Sequence, residues 1–184
     1  MSPALRRTAY HEAGHAFARL YFGMSVRRVT IVPDPARGTL GTSCHYGHKD
    51  RFRALEIGDN SIAHRVRFER EIIQLLAGRA SEKLYTEAKR FGGSRDDLGK
   101  AADIALGLSG SIAECNAYLR WLNERTKRLL DGSYARCAIP AIADELLRRK
   151  TLTRDVLRSV FIQAGSVPLR PSVVEAIQRI SAAK

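Results

Sequence analysis

The stretch Ala4-Leu5-Arg6-Arg7-Thr8-Ala9-Tyr10-His11-Glu12-Ala13-Gly14-His15-Ala16-Phe17-Ala18-Arg19-Leu20-Tyr21-Phe22, followed by Gly23, decides how this chain is read. Leu5, Ala9, Ala16 and Leu20, with Thr8, Phe17 and Tyr21 beside them, recur at helical spacing, which predicts a helix over 4–22 that stops at Gly23. Inside it lies His11-Glu12-Ala13-Gly14-His15. Four residues make slightly more than one turn, so both imidazoles project from one face and can grip one ion. Glu12 follows the first histidine around the helix and can address a water on that ion without ligating the ion itself. Zinc lowers the pKa of such a water toward about 7, and a carboxylate beside it can take the proton and pass it to a leaving amine. Peptide hydrolysis is the usual use of that geometry. The competing reading is chance placement on a helix surface, which the small supply of five histidines and the independently predicted helix both weaken.

Outward from this helix, residues 26–32 have strand character through Val26, Val29, Thr30, Ile31 and Val32, until Pro33-Asp34-Pro35 forbids a continuing ladder. A second strand is predicted over 39–46, the two forming a small antiparallel ribbon. Ile62, Val66, Ile73, Leu76, Ala80 and Leu84 predict a long helix over 61–85, with Glu and Arg on its other face. Gly78 lies within it, at a cost of about 1 kcal/mol against alanine, which suggests that another backbone passes close by. The small pair Ala13-Gly14 of the first helix is the natural candidate. After a loop at Phe91-Gly92-Gly93, helices are predicted near 94–108, 111–131, 140–149, 152–163 and 172–182. The expected fold class is α+β, mainly α-helical, with a small antiparallel β-ribbon in the N-terminal half. We expect one domain over 1–184, comprising a metal-site part (1–110) and a C-terminal helical part (111–184).

Composition supports a folded domain: 184 residues, 45% hydrophobic and 27% charged, are enough to bury a sizeable core. The net charge of +12 would suit an acidic or nucleic-acid partner, yet the cations are scattered from Arg6 to Lys184. Doublets such as Arg6-Arg7, Arg27-Arg28 and Lys89-Arg90 read as solvated faces, so nucleic acid is the weakest partner reading. No run approaches the 18 or so apolar residues that span a bilayer, and Met1 to Arg7 leads into no signal region, so the expected location is cytoplasmic with no membrane partner. Cys44, Cys115 and Cys137 show no Cys-x-x-Cys spacing and read as free thiols in a reducing compartment.

A catalytic zinc needs a third protein ligand and an open position for water. The candidates are Asp96 and Asp97 after the Gly92-Gly93 loop, Glu82 on the long second helix, and the cluster Cys44, His45 and His48. Each has a plainer reading. Ser94-Arg95-Asp96-Asp97 has the spacing of a helix-capping box, Glu82 alone reads as a solvated helix residue, and His45-Tyr46-Gly47-His48 as an exposed loop.

Several segments, in order, resemble the peptidase domain of the FtsH family, the membrane-anchored AAA proteases. Thr8-Ala9-Tyr10-His11-Glu12-Ala13-Gly14-His15-Ala16 resembles its zinc helix, and Val29-Thr30-Ile31-Val32-Pro33 with Thr39-Leu40-Gly41-Thr42 resembles its ribbon. Leu75-Leu76-Ala77-Gly78-Arg79-Ala80-Ser81-Glu82 is similar to its glycine-arginine-alanine helix, and Gly93-Ser94-Arg95-Asp96-Asp97-Leu98 to its glycine-rich loop ending in an aspartate ligand. Leu146-Leu147-Arg148-Arg149-Lys150-Thr151-Leu152 looks like its C-terminal helix pair. The resemblance implies a zinc ion held by His11, His15 and Asp97, with Glu12 as the catalytic carboxylate. It also implies that Glu82 lies near the metal helix and orients ligands rather than binding.

The departures bear on function. No Gly-x-x-x-x-Gly-Lys-[Ser/Thr] loop occurs, so the expectation is a stand-alone peptidase domain without an AAA module or membrane anchor. The polar, basic segment 43–60 fits the family pattern poorly. The leading expectation is a zinc endopeptidase acting on unfolded or flexible protein segments without its own ATPase, with a separate ATPase or adaptor as a further partner. An exposed edge at 26–32 or 39–46 would pair with the extended substrate. The alternative is a catalytically inactive, metal-stabilised binding or adaptor protein that engages a partner through its basic surface.

Overall fold

A computed structural model describes residues 2–33, 42–44, 61–86 and 94–165. The elements in chain order are α1 (Pro3–Tyr21), β1 (Arg28–Thr30), β2 (Thr42–Cys44), α2 (Ile62–Thr86), α3 (Ser94–Gly107), α4 (Ile112–Asp131), α5 (Ser133–Arg149), β3 (Thr151–Thr153) and α6 (Arg154–Gly165). The chain is therefore mainly helical with a small antiparallel sheet, as its periodicity predicts. The expected helix at 172–182, the loop at 91–93 and the residues His45 and His48 lie outside the described residues.

α1 begins on Pro3, whose fixed φ suits a first helical position. It ends where Gly23 takes φ 68°, with Gly23 N–H donating to Leu20 O and Met24 N–H to Arg19 O. That pair of bonds is a Schellman stop, and glycine supplies the left-handed residue it requires. Every residue from Ala9 to Arg19 is buried, which makes α1 the central helix rather than an amphipathic surface one.

Two apolar clusters flank it. One joins α1 to β1, α5, β3 and α6 through Phe17, Val29, Ile139, Ile142, Leu146, Leu152 and Leu157. The other joins α2, α3 and α4 through Phe68, Ile72, Ile73, Ala101, Ile104 and Leu122. α1 and α2 lie antiparallel and very close. A Cβ on Gly14 would stand 2.5 Å from Ala77 O and 2.6 Å from Ser81 Cβ, so glycine sets their separation. Ser81 Oγ donates to Tyr10 O at 2.8 Å across the same seam.

Four expectations need correction. Among the described residues the sheet has three strands in the order β2-β1-β3, all antiparallel, with Val29 opposite Ser43 on one side and Leu152 on the other. β1 is thus the central strand, and residues 26–32 offer no free edge. The residues 151–153, expected at the join of two C-terminal helices, are β3: Lys150 at φ 66° ends α5, and its carbonyl accepts from Ile31 N–H. α5 starts at Ser133 rather than 140 and carries Pro140 inside it. The missing N–H costs on the order of 3 kcal/mol, and burial of Ala135, Ala138, Ile139, Ile142, Ala143 and Leu146 along the helix offsets it. Finally, only part of the predicted apolar stripe of α2 is buried: Ile73 and Leu76 are, Val66 is not, and a second buried face is polar. Ile62 and Leu84 are exposed, whereas Glu71, Gln74, Gly78, Ser81 and Glu82 are buried.

Candidate metal centre

The buried polar face of α2 lies against the stripe His11, His15, Arg19 of α1. Because the helices are antiparallel, His11 meets Glu82, His15 meets Gln74 and Gly78, and Arg19 meets Gln74 and Glu71. α3 closes the site from the side. Its first turn carries Asp96 and Asp97, and the two diverge: exposed Asp96 pairs with Lys100, whereas Asp97 turns inward.

Three atoms converge there. His11 Nε2 and His15 Nε2 are 3.1 Å apart, and Asp97 Oδ2 is 3.3 Å from each. Ligands about 2.0–2.1 Å from a tetrahedral zinc ion stand roughly 3.3 Å from one another, so these atoms sit at the separations such an ion requires. Among the described residues, no fourth His, Cys, Asp or Glu joins this group of possible ligands.

The other ring nitrogens face the scaffold. His15 Nδ1 lies 2.8 Å from Gln74 O, which can only accept, and 3.1 Å from the Gln74 side-chain nitrogen, which can only donate; the shorter contact assigns the ring proton to Nδ1 and leaves Nε2 with a lone pair toward the cluster. His11 Nδ1 is 3.5 Å from Glu82 Oε2, too long for a good hydrogen bond, and is a buried nitrogen with no hydrogen-bond partner among the described residues. Glu82 therefore stands behind a ligand candidate rather than at the convergence point. Glu12 is buried beside them, and no hydrogen bond or ion pair of its carboxylate is found among the described residues.

The electrostatics favour a cation. Burial alone would lower the His11 pKa, but the Asp97 and Glu82 carboxylates, with Glu12 nearby, outweigh it and push His11 up to about 9. Burial alone would raise Asp97, but its bonds to His11 and His15 and their charge hold it well below the usual carboxylate range. Burial raises Glu12, partly offset by His15 and His11. A buried carboxyl with a raised pKa and no fixed partner is suited to carrying a proton.

Sequence reasoning named every member of the cluster. It missed Gln74, Arg19 and Glu71, which look like ordinary helix polar residues until α2 is laid on α1. It also took Gly78 to mark a close backbone. The close backbone is at Gly14, and the atoms nearest a Cβ on Gly78 belong to His15 and His11.

Fold and site together define a helical domain built round a two-histidine, one-carboxylate centre. The model of Peptidase family M41 matches residues 2–110, and the chain belongs to that family. It is 33% identical over 182 residues to ATP-dependent zinc metalloprotease FtsH 1 of Rhodopirellula baltica, covering 82% of this chain and 25% of that protein. It is 38% identical over 100 residues to ATP-dependent zinc metalloprotease FtsH of Caldicellulosiruptor bescii, covering 53% of this chain and 14% of that protein. Identity is 27% over 183 residues to the mitochondrial inner membrane m-AAA protease component YTA10 of Saccharomyces cerevisiae, covering 82% and 22%. The chain thus spans a quarter or less of the length of these relatives. No helix among its described residues is long and apolar enough to cross a membrane.

Proposed function

We propose that this is a zinc-dependent endopeptidase domain that hydrolyses peptide bonds in unfolded or flexible protein segments. The observation that carries the reading is the convergence of His11 Nε2, His15 Nε2 and Asp97 Oδ2 within 3.3 Å of one another, beside the buried carboxyl of Glu12. Family membership and the zinc metalloprotease names of the relatives support it.

His11, His15 and Asp97 would hold the ion, and Gln74 O would fix the His15 ring. Zinc held there supplies Lewis acidity, activating a water at neutral pH and polarising the scissile carbonyl. Glu12 accepts the proton of the attacking water and delivers it to the amide nitrogen as the C–N bond breaks, leaving a carboxylic acid and an amine. The substrate would lie extended along β2, an outer strand of the sheet, since pairing with an edge needs main-chain atoms only and tolerates many sequences.

The 184 residues contain no Gly-x-x-x-x-Gly-Lys-[Ser/Thr] loop, so cleavage by this domain would not itself consume ATP, and an ATPase or adaptor outside these residues would present structured substrates. The exposed free thiol of Cys137 suits the cytosol.

The test is cleavage of an unfolded protein by the zinc-loaded chain and its Glu12→Gln variant. We expect the variant to keep zinc and lose cleavage. If the unmodified, zinc-loaded chain cleaves nothing across a broad panel, the peptidase reading fails and the metal-stabilised binding protein takes its place.

A further inference from the structure

α2 contributes no atom to the His11, His15 and Asp97 cluster, yet two of its residues, one turn apart, determine where the His15 ring can sit. The first is Gly78. A Cβ there would stand 2.3 Å from His15 Nε2, 2.7 Å from His15 Cε1 and 2.9 Å from His11 Cε1, where carbon contacts need roughly 3.5 Å. The second is Gln74, whose main-chain oxygen holds the opposite side of the ring at Nδ1, 2.8 Å away. The ring is enclosed between a bare Cα and a carbonyl.

The surroundings prevent the ring from retreating with its helix. Gly14 lies directly on the backbone of Ala77, and Ser81 Oγ bonds to Tyr10 O, so α1 is fastened to α2 on both sides of His11. Gln74 is itself anchored: Arg19 Nη1 donates to its Oε1 at 3.2 Å, and Arg19 is 1% exposed, with Nε donating to Ser25 O. The contrast between the two glycines is informative. A glycine kept for helix packing meets backbone, as Gly14 does, whereas the three atoms nearest a Cβ at Gly78 are all imidazole atoms of the two ligand candidates.

We infer that Gly78 is a positioning residue of the metal centre: its missing side chain is the floor on which the two imidazoles converge, with Gln74 O holding the second ring from behind. The inference rests on the metal-site reading given above. It has a signature that a scaffold role lacks. Alanine is the better helix former, and without an ion nothing obliges the two rings to converge, so His15 can release Gln74 O and turn about its own χ angles while α1 stays in place. Gly78→Ala should therefore fold as the unmodified chain does, and its defect should appear only when both rings must converge on one ion.

The experiment measures zinc affinity by chelator competition, the visible spectrum of the Co2+-loaded protein, and the melting temperature of the metal-free protein. For Gly78→Ala we expect zinc affinity to fall about tenfold or more, the scale on which groups that orient metal ligands act. The Co2+ bands should be altered and the metal-free melting temperature retained. Gly14→Ala should do the reverse, lowering the melting temperature while the folded fraction keeps its affinity. Unmodified affinity and an unmodified Co2+ spectrum in Gly78→Ala would overturn the inference, as would failure of the metal-free variant to fold. Should the unmodified chain bind neither zinc nor cobalt, the metal-site reading falls and takes this inference with it. If the unmodified chain binds and Gly78→Ala is indifferent, only the positioning role is lost.

Discussion

The two sides of α1 differ in kind. Toward α5 and α6 it packs Phe17 against Tyr134 and Phe161, within an apolar cluster that includes Ala138, Ile139, Ile142 and Leu157. Toward α2 it buries His11, His15 and Arg19 against Glu71, Gln74 and Glu82. Of nine buried polar or charged residues among those described, eight lie on these two helices, so their concentration is a property of the seam rather than of the core at large. Burying such groups costs free energy unless each finds a partner. Under the proposed metal-site reading, the apolar side supplies net stability, while the polar side gives some of it up for cation binding.

That division can be broken by experiment. The largest effect should fall on activity: Glu12→Gln is expected to lower peptide cleavage by on the order of 10²–10⁴ with zinc retained, the range of a lost general base. An undiminished rate would remove the polar side's chemical role. Next comes the buried cation. Arg19→Ala takes away the group facing Gln74 Oε1 and Glu71, 3.9 Å away, and should destabilise the fold by about 3–5 kcal/mol in urea unfolding. On the apolar side, Ile139→Ala should cost about 2–5 kcal/mol and leave zinc affinity of the folded fraction unchanged. A change in affinity there would show that the two sides are not separable.

Effects on metal affinity and pH sharpen the assignment. Asp97→Ala should weaken zinc binding strongly, whereas Asp96→Ala should leave it intact, because Asp96 points outward to Lys100. The reverse result would move the ligand by one residue. In the metal-free protein His11 is raised to about 9 from an ordinary 6.5. Its contribution to stability is complete below pH 6.5 and lost as the pH rises through about 9, while zinc affinity rises over the same interval because the ion must displace that proton. Parallel denaturation and zinc titrations between pH 6 and 10 check both slopes, and a flat response in each would contradict the charge balance described for the cluster.

The sequence carried α1, α2 and the histidine pair because one strong period and one fixed spacing encode them locally. Asp97 was an open choice until the resemblance singled it out, since residues 94–97 also have the spacing of a capping box and nothing local distinguishes a cap from a carboxylate aimed 86 residues back along the chain. β3 was hidden because three residues, Thr151-Leu152-Thr153, are too few to display an alternating period, and their partners in β1 are more than 120 residues away. Pro140 moved the predicted start of α5 because its local penalty is visible in the sequence while the tertiary burial that offsets it is not. The second buried face of α2 was missed for a related reason: Ile73 and Leu76 mark its apolar side, but Glu71, Gln74 and Glu82 carry no hydrophobic signal of their own burial.

The central claim is that α1 and α3 grip a divalent ion through two imidazoles and one carboxylate, leaving a place for water. X-ray absorption at the zinc edge of the loaded protein tests it most directly. The account predicts two imidazole nitrogens and two oxygens, one of them from water, at about 2.0–2.1 Å. A sulfur at about 2.3 Å, or four protein ligands around the ion, would contradict it.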